Sequence, residues 1–437
     1  MYTYGVVFEL PTQNALPPTA RWSDARRFAV RFAFVYFVLY NLPFPLGAIP
    51  HTESLLESYN SFWHKVVPWV GKHALRLKTD ITIFTNGSTD TTYDFLLILC
   101  FLAIALIAAI AWSFLDRSRP NYAYLNQWLL LYVRLSLGSA MLSYGAAKVF
   151  QQQFADPNWY QLLQPLGDYS RQSLLWMFMG SSHGYRYFTA SVELVGGILL
   201  FVPRFRTLGA LLGAAAFTNV FALNISYNVS VKMYALHFLF MSIFLLLPDA
   251  PRLVNVILLN RPTTPVNSRP LFRQLRLNRV ALVLQVFLGF FLAASYLVQA
   301  RAYEAQDLAA RPPFYGIWKV EEFTFDGNVR PPLLTDDIRW QRMVIQYPKG
   351  AGIQGMSGTW TGYWLRRDME KKTFAMEKPD DAKQRFQFSF TYSDPGTLAL
   401  SGTDGQHAIG VRLHRVDEKE FTLLADHFQW IHEDADY

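Results

Sequence analysis

From Phe95 to Leu115 the chain carries no charged side chain at all. A helix of about 20 apolar residues is what crosses the hydrocarbon core of a bilayer. Such a run constrains the fold more than any other feature, because a surface helix of a soluble domain shows a polar face. Six further apolar segments share the pattern: Phe28–Leu46, Trp128–Phe150, Tyr187–Val202, Leu208–Asn224, Met233–Leu247 and Val280–Val298. The 51% hydrophobic content is therefore clumped rather than spread. We expect an α-helical polytopic membrane protein of about seven transmembrane helices.

Charge placement sets an expected orientation. Arg21, Arg26, Arg27, Arg117, Arg119, Arg204, Arg206 and the arginines at 252, 261, 269, 273, 276 and 279 fall on one side of such a seven-span chain. The other side receives Lys65, Lys72, Arg76, Lys78, Arg171, Arg186 and Lys232 over longer loops. The bias toward positive charge in cytoplasmic loops puts the N-terminus inside and the C-terminus outside. No cleavable signal peptide is expected, since the first apolar run begins only near Phe28. Phe62–Leu77 reads equally as a helix in the membrane interface or as a plain loop helix. The excursion Gln151–Arg186 carries Trp159, Tyr160, Tyr169, Trp176 and Tyr185, which suit the headgroup belt.

After Ala309 the texture changes. Arg311-Pro312-Pro313 is a linker, and beyond it β-favouring runs alternate with turn signals. Ile317–Phe325 ends at Asp326-Gly327-Asn328, and Ile338–Tyr347 ends at Pro348-Lys349-Gly350. In Arg385–Tyr392, Phe386, Phe388, Phe390 and Tyr392 alternate with polar residues. Seven or eight short strands predict an all-β antiparallel sandwich or barrel domain. Four segments result: an N-terminal membrane region over 1–125, a four-helix unit over 126–260, a basic loop with the seventh span and linker over 261–311, and an extracytoplasmic β domain over 312–437. Residues 1–311 hold 25 Lys and Arg against 14 Asp and Glu, and residues 312–437 hold 15 against 19. A basic membrane part beside an acidic tail speaks against nucleic-acid binding. The lone Cys100 excludes an intramolecular disulfide and a dithiol centre. No histidine spacing suits a metal.

Charges inside spans are costly and mark candidate sites. Arg134, Gly138, Met141, Gly145 and Lys148 share one helix face, with Tyr144 a turn before Lys148. Glu193 precedes Gly196-Gly197, a surface that admits a close neighbouring helix. Asn224 and Tyr227 end one span, and Lys232 and His237 begin the next. In the expected topology Lys148, Glu193, Asn224, Tyr227, Lys232 and His237 all lie in the outer half of the four-helix unit. Each also has a plainer reading. The lysines can snorkel, His237 can be a hydrogen-bonded core residue, and Glu193 can sit in a structural pair with Lys148.

Arg134-Leu-Ser-Leu-Gly138, Tyr144-Gly145-Ala-Ala-Lys148, Glu193-Leu-Val-Gly196-Gly197 and the Pro203-Arg-Phe-Arg206-Thr-Leu-Gly209 turn, taken in order, resemble the DoxX family. The resemblance covers about 120 of the 437 residues. It implies a four-helix membrane unit of the bacterial inner membrane, distantly similar to the vitamin-K-dependent carboxylase membrane domain, with a quinone-type or lipid-like ligand. The extra spans and the β domain depart from the minimal family. On this resemblance the chain is a quinone- or lipid-linked oxidoreductase or a subunit of one. Glu193 and Lys148 are then the catalytic, proton-handling residues. Tyr144, Asn224, Tyr227, Lys232, His237 and Arg134 are the ligand-binding ones. An external donor or partner subunit follows, since the sequence offers no electron carrier. The alternative is a non-enzymatic membrane anchor presenting the β domain to lipid, polymer or a partner protein.

Overall fold

The structure, a computed structural model, describes residues 21–47, 51–84, 87–264, 270–379, 381–426 and 430. Arg269 of the basic loop lies outside them. The chain forms two compact units. One comprises the residues before 143 together with Val192–Ala293, and the other Ser143–Ser191 together with the chain from Ala294 onward.

The first unit is helical: α1 (Asp24–Asn41), α2 (Pro43–Leu46), α3 (Glu53–His73), α4 (Thr92–Leu115) and the start of α5 (Ala123–Val149). The second unit interrupts with the end of α5, α6 (Trp159–Leu163), α7 (Arg171–Ser181) and the start of α8 (His183–Phe201). The first unit resumes with the rest of α8, α9 (Arg206–Ser226), α10 (Lys232–Leu246), α11 (Ala250–Leu253) and most of α12 (Leu275–Ala309). Among the described residues, five helices are long and apolar enough to cross a membrane: Thr92–Leu115, Ala123–Val149, Pro203–Ser226, Lys232–Leu258 and Leu275–Ala309. They make a multi-helix membrane-spanning region. A capping box of Thr91 and Asp94 starts α4. That helix buries Leu96, Cys100, Phe101, Ala105 and Ala109 and turns Leu99, Ile107, Ile110 and Phe114 outward. An outward apolar face of this kind suits lipid and would be costly in water.

Glycines let α5 and α8 meet. A Cβ at Gly138 would stand 2.7 Å from the Phe201 ring, and one at Gly197 would stand 3.0 Å from Leu142. The sequence segment Phe62–Leu77 supplies the C-terminal part of α3 as far as His73, and the helix buries Trp63 and Val67 against Tyr93, Leu96, Cys100 and Phe101. Phe62 and Trp69 stay exposed on its other face.

The second unit holds the β domain. Its strands are β1 (Gly316–Phe325), β2 (Asn328–Val329), β3 (Trp340–Tyr347), β4 (Gly350–Gly355), β5 (Trp360–Asp368), β6 (Thr373–Lys378), β7 (Asp381–Asp394), β8 (Thr397–Thr403) and β9 (Ala408–Arg415). Each pairs antiparallel with its neighbour in the order β1-β3-β4-β5-β6-β7-β8-β9, with β2 a spur on β1. The sheet closes because β9 pairs back onto β1, Val320 opposite Leu413 and Phe325 opposite Ile409. Of the two architectures the strand pattern allowed, the structure is therefore a closed eight-stranded barrel. Period-2 alternation builds it: Phe388 and Phe390 are buried inside, and Gln387, Ser389 and Thr391 face out.

The excursion between α5 and α8 folds onto this barrel. A capping box of Asn158 and Gln161 starts α6. Trp159 is buried against Ile317 and Val344 on the barrel's outer wall, and its backbone N–H donates to Gln346 Oε1 at 3.2 Å. Tyr160 packs edge-on to Trp360. The sequence suited Trp159 and Tyr160 to lipid headgroups, but protein buries Trp159 and half-buries Tyr160. An aromatic ring with one polar atom satisfies either setting, so composition alone does not separate them.

Candidate functional site

The residues singled out in the helices fall into groups that the structure treats differently. His237, one turn into α10, is buried with both ring nitrogens engaged. Nδ1 lies 2.6 Å from the Met233 carbonyl, which can only accept, so Nδ1 carries the proton. Nε2 then accepts from the Tyr36 hydroxyl at 2.5 Å. The imidazole stacks on Tyr40 with centroids 4.2 Å apart and planes 9° from parallel. A neutral, oriented histidine between two tyrosines of α1 results. The α1 tyrosines carried no motif in the sequence, and only the fold brings them to His237.

Lys232 and Asn224 close the turn between α9 and α10. Asn224 Nδ2 donates to the Val231 carbonyl at 3.2 Å, and Lys232 Nζ donates to the Val229 carbonyl at 2.9 Å. Asp90, which precedes α4, accepts the backbone N–H of Lys232 at 2.8 Å and that of Met233 at 2.9 Å. Its carboxylate thus caps α10 from across the unit and pairs with Lys232 Nζ at 3.4 Å. Sequence reasoning missed Asp90, because a cap reaching over 140 residues leaves no local signal. Tyr227 is the partly exposed C-cap of α9.

Arg134 is buried, and its Nη2 donates to Gln285 Oε1 of α12. Gln285 in turn donates to the Ala281 carbonyl at 2.8 Å. Glu193 is also buried. In the second unit Lys148 is buried, its ammonium 5.9 Å from the centroid of the Tyr144 ring. Arg186, counted at first as a loop charge, is the most enclosed cation there. Its Nη1 donates to the Phe154 carbonyl at 2.9 Å and to Asp156 Oδ1 at 3.1 Å.

The barrel supplies a different kind of site. Phe314 packs edge-on against Trp318, Phe390 and Tyr392 and plugs the end from which β1 starts. The far end opens into a cavity of about 750 Å³, within the usual range for small-molecule pockets. Its floor is the packed core at Phe323, Trp340, Ile353 and Ile409, and its sides are largely polar, with Asp337, Arg339, Thr359, Thr361, Asp404 and Gln406 beside Tyr363 and Phe386. Asp336 orders the rim loop: it accepts the backbone N–H groups of Ile338 and Arg339 and pairs with Arg330 Nε at 2.7 Å. The hydrogen bond from Arg330 holds the Asp336 carboxyl below its ordinary value. His407 beside Asp326 does the same for that carboxyl on the same rim. Nothing in the sequence pointed to this cavity, since closure depends on β1 meeting β9 about 90 residues on.

Among the described residues, no three His, Cys, Asp or Glu side chains gather in a way that would hold a metal ion. No family model matches the chain, so the likeness to DoxX proteins rests on the motif residues alone. An uncharacterised protein of Bacillus subtilis (strain 168), YwoB, is 26% identical over 141 residues, 32% of this chain and 87% of that protein. No solved structure matches.

Proposed function

We propose that the chain is a membrane-anchored binding protein, whose helices hold an extracytoplasmic β-barrel that takes up an apolar or lipid-like molecule at its open end. The observation that carries this reading is the barrel itself, closed by Phe314 at one end and opening into a rim cavity at the other. Eight-stranded barrels either fill their interior with side chains or keep room for one small ligand. This one fills its interior with the cluster that includes Trp318, Phe323 and Trp340 and keeps room only at the rim, near Thr361 and Gln406. Purification in mild detergent, followed by extraction and mass spectrometry, tests it. A defined apolar molecule should co-purify with the full chain and be lost from a chain ending at Ala310. Equal recovery from both proteins would end the reading.

The reading takes seven crossings with the N-terminus inside, which would put the barrel outside. The contact of α6 with the barrel wall requires an even number of crossings between Leu163 and Gly316. The long apolar helices α9, α10 and α12 supply three. The fourth is α8, whose 19 residues reach about 28 Å at 1.5 Å per residue. Its buried Glu193 lowers its hydropathy. α1 is the seventh span. Arg27 Nη1 near its start donates to the Arg117 and Arg119 carbonyls after α4, and Tyr36 near its end reaches His237.

A second reading, a quinone-linked oxidoreductase of DoxX type, is favoured by the flat, hydrogen-bonded stack of Tyr36, His237 and Tyr40, which suits a planar ring. In it Glu193 and Lys148 handle protons, and Tyr144, Tyr227, Arg134, Asn224, Lys232 and His237 hold the ligand. A partner subunit would deliver electrons. Glu193→Gln should then abolish turnover of added quinol while leaving the melting temperature within a few degrees. Unchanged turnover would exclude it.

A further inference from the structure

Arg134 on α5 is 5% exposed, yet among the described residues its guanidinium makes a single hydrogen bond, from Nη2 to Gln285 Oε1 of α12. Its Nε is buried with no partner. A guanidinium has five N–H donors, so most of this one is unspent. Gln285 is neutral and supplies no counter-charge. No carboxylate of the described residues pairs with Arg134, and the charge that acts on it across space is Arg206, a second cation. Arg206 starts α9, and its own Nε is buried without a partner. Its Nη2 meets Asp249 Oδ2 at 2.7 Å, but that carboxylate is shared. Asp249 also accepts the Thr207 hydroxyl at 2.5 Å and pairs with Arg252 Nη1 at 3.3 Å. Three arginines of the first unit therefore stand against one carboxylate, and the most buried of the three has none. A buried charge without a partner is costly, and most so in a helix that crosses a bilayer.

We propose that the helical unit binds one anionic phospholipid, its phosphate shared by Arg134 and Arg206 and its acyl chains along α12. The site is separate from the barrel and does not depend on what the barrel takes up. A phosphate diester supplies the missing negative charge and several acceptor oxygens, and arginine meets such a group with two parallel N–H donors. Basic pockets between membrane helices hold anionic headgroups in this way. The lipid source follows from the surroundings. Arg134 and Gln285 belong to two of the long apolar helices. Beside Gln285, Val280, Leu284 and Phe287 turn an exposed apolar stripe outward, spaced by four and three residues and so on one face of α12. A headgroup at Arg134 would lay its chains on that stripe. A zwitterionic headgroup fits less well, because its ammonium would stand among three guanidinium groups.

The test uses the full chain, purified in mild detergent and stripped of lipid, with phosphatidylglycerol, phosphatidylcholine or inorganic phosphate added. Native mass spectrometry reads what stays bound. One phosphatidylglycerol should be retained about tenfold more than phosphatidylcholine at equal concentration, as for the loss of one charge-assisted hydrogen bond. Arg134→Gln should lower its retention by a similar factor in protein that still melts cooperatively. Arg261→Gln, which removes an exposed charge from the basic loop, should leave it unchanged. Should Arg134→Gln fail to fold, Arg206→Gln decides with the same expectation. Equal retention of the two lipids would overturn the proposal, as would undiminished phosphatidylglycerol in the folded variants or an equal loss in Arg261→Gln. Displacement of the lipid by millimolar inorganic phosphate, with a phosphate adduct in its place, would assign the arginines to a free anion and overturn the lipid source.

Discussion

The hydroxyl of Tyr160 on α6 lies over Gly352 of β4, where a Cβ would stand 2.6 Å from it. Burial there pushes the Tyr160 phenol up to about 12. A bare glycine on the outer wall of a barrel thus becomes the seat of a helix from a segment nearly 200 residues earlier. Gly352→Val should push Tyr160 off this seat, at a cost of about 1–3 kcal/mol as for other overpacked contacts. Proteolysis of the native protein should then begin between Gln151 and Tyr169, while Gly362→Val, with open space around it, should leave the pattern unchanged.

Asp90 makes a prediction for the helical unit. Asp90→Ala removes two N–H acceptors at the start of α10 and the partner of Lys232. Loss of a cap costs about 0.5–2 kcal/mol. Thermal unfolding in detergent should fall accordingly. Lys232→Met should cost less, since the backbone N–H groups of residues 232 and 233 keep their acceptor. A larger loss from Lys232→Met would reverse the roles given to the two residues.

The rim of the barrel should respond to acid. The folded pKa of Asp336 lies below its ordinary 3.8. The carboxylate is then favoured by the folded state, so its contribution is complete above pH 3.8 and is lost as pH falls through the lower folded value. Asp336→Asn should flatten the acid limb of the stability curve in that window and leave the neutral range lower throughout. Melting curves from pH 2 to 6 would show an unchanged slope if Asp336 is idle.

Much of the architecture can be read from the chain because bilayer thickness and strand period act locally. The uncharged Phe95–Leu115 becomes a long apolar helix, and the alternation of Phe386, Phe388 and Phe390 becomes an inner face. Closure of the sheet is not local. Phe325 meets Ile409 through the return of β9, and the same strands could have stacked as a sandwich. The helical candidates divide for a similar reason. His237 announces itself as a polar residue in a span, but its partners Tyr36 and Tyr40 look like ordinary aromatics of α1. Arg339, within the run Ile338–Tyr347, carries no sign of burial in the sequence, because only a closed barrel encloses it.

The central claim is that the barrel and the excursion after α5 share the outer side of the membrane, with seven crossings between the N-terminus and the barrel. In a Cys100→Ala background, single cysteines at Ser170, Ser401 and Arg204 report on the excursion, the barrel wall and the turn between α8 and α9. A membrane-impermeant maleimide applied to intact spheroplasts should label the first two and leave the third untouched until the cells are lysed. Labelling of Ser170→Cys and Ser401→Cys from opposite sides, or labelling of Arg204→Cys from outside, would contradict the account.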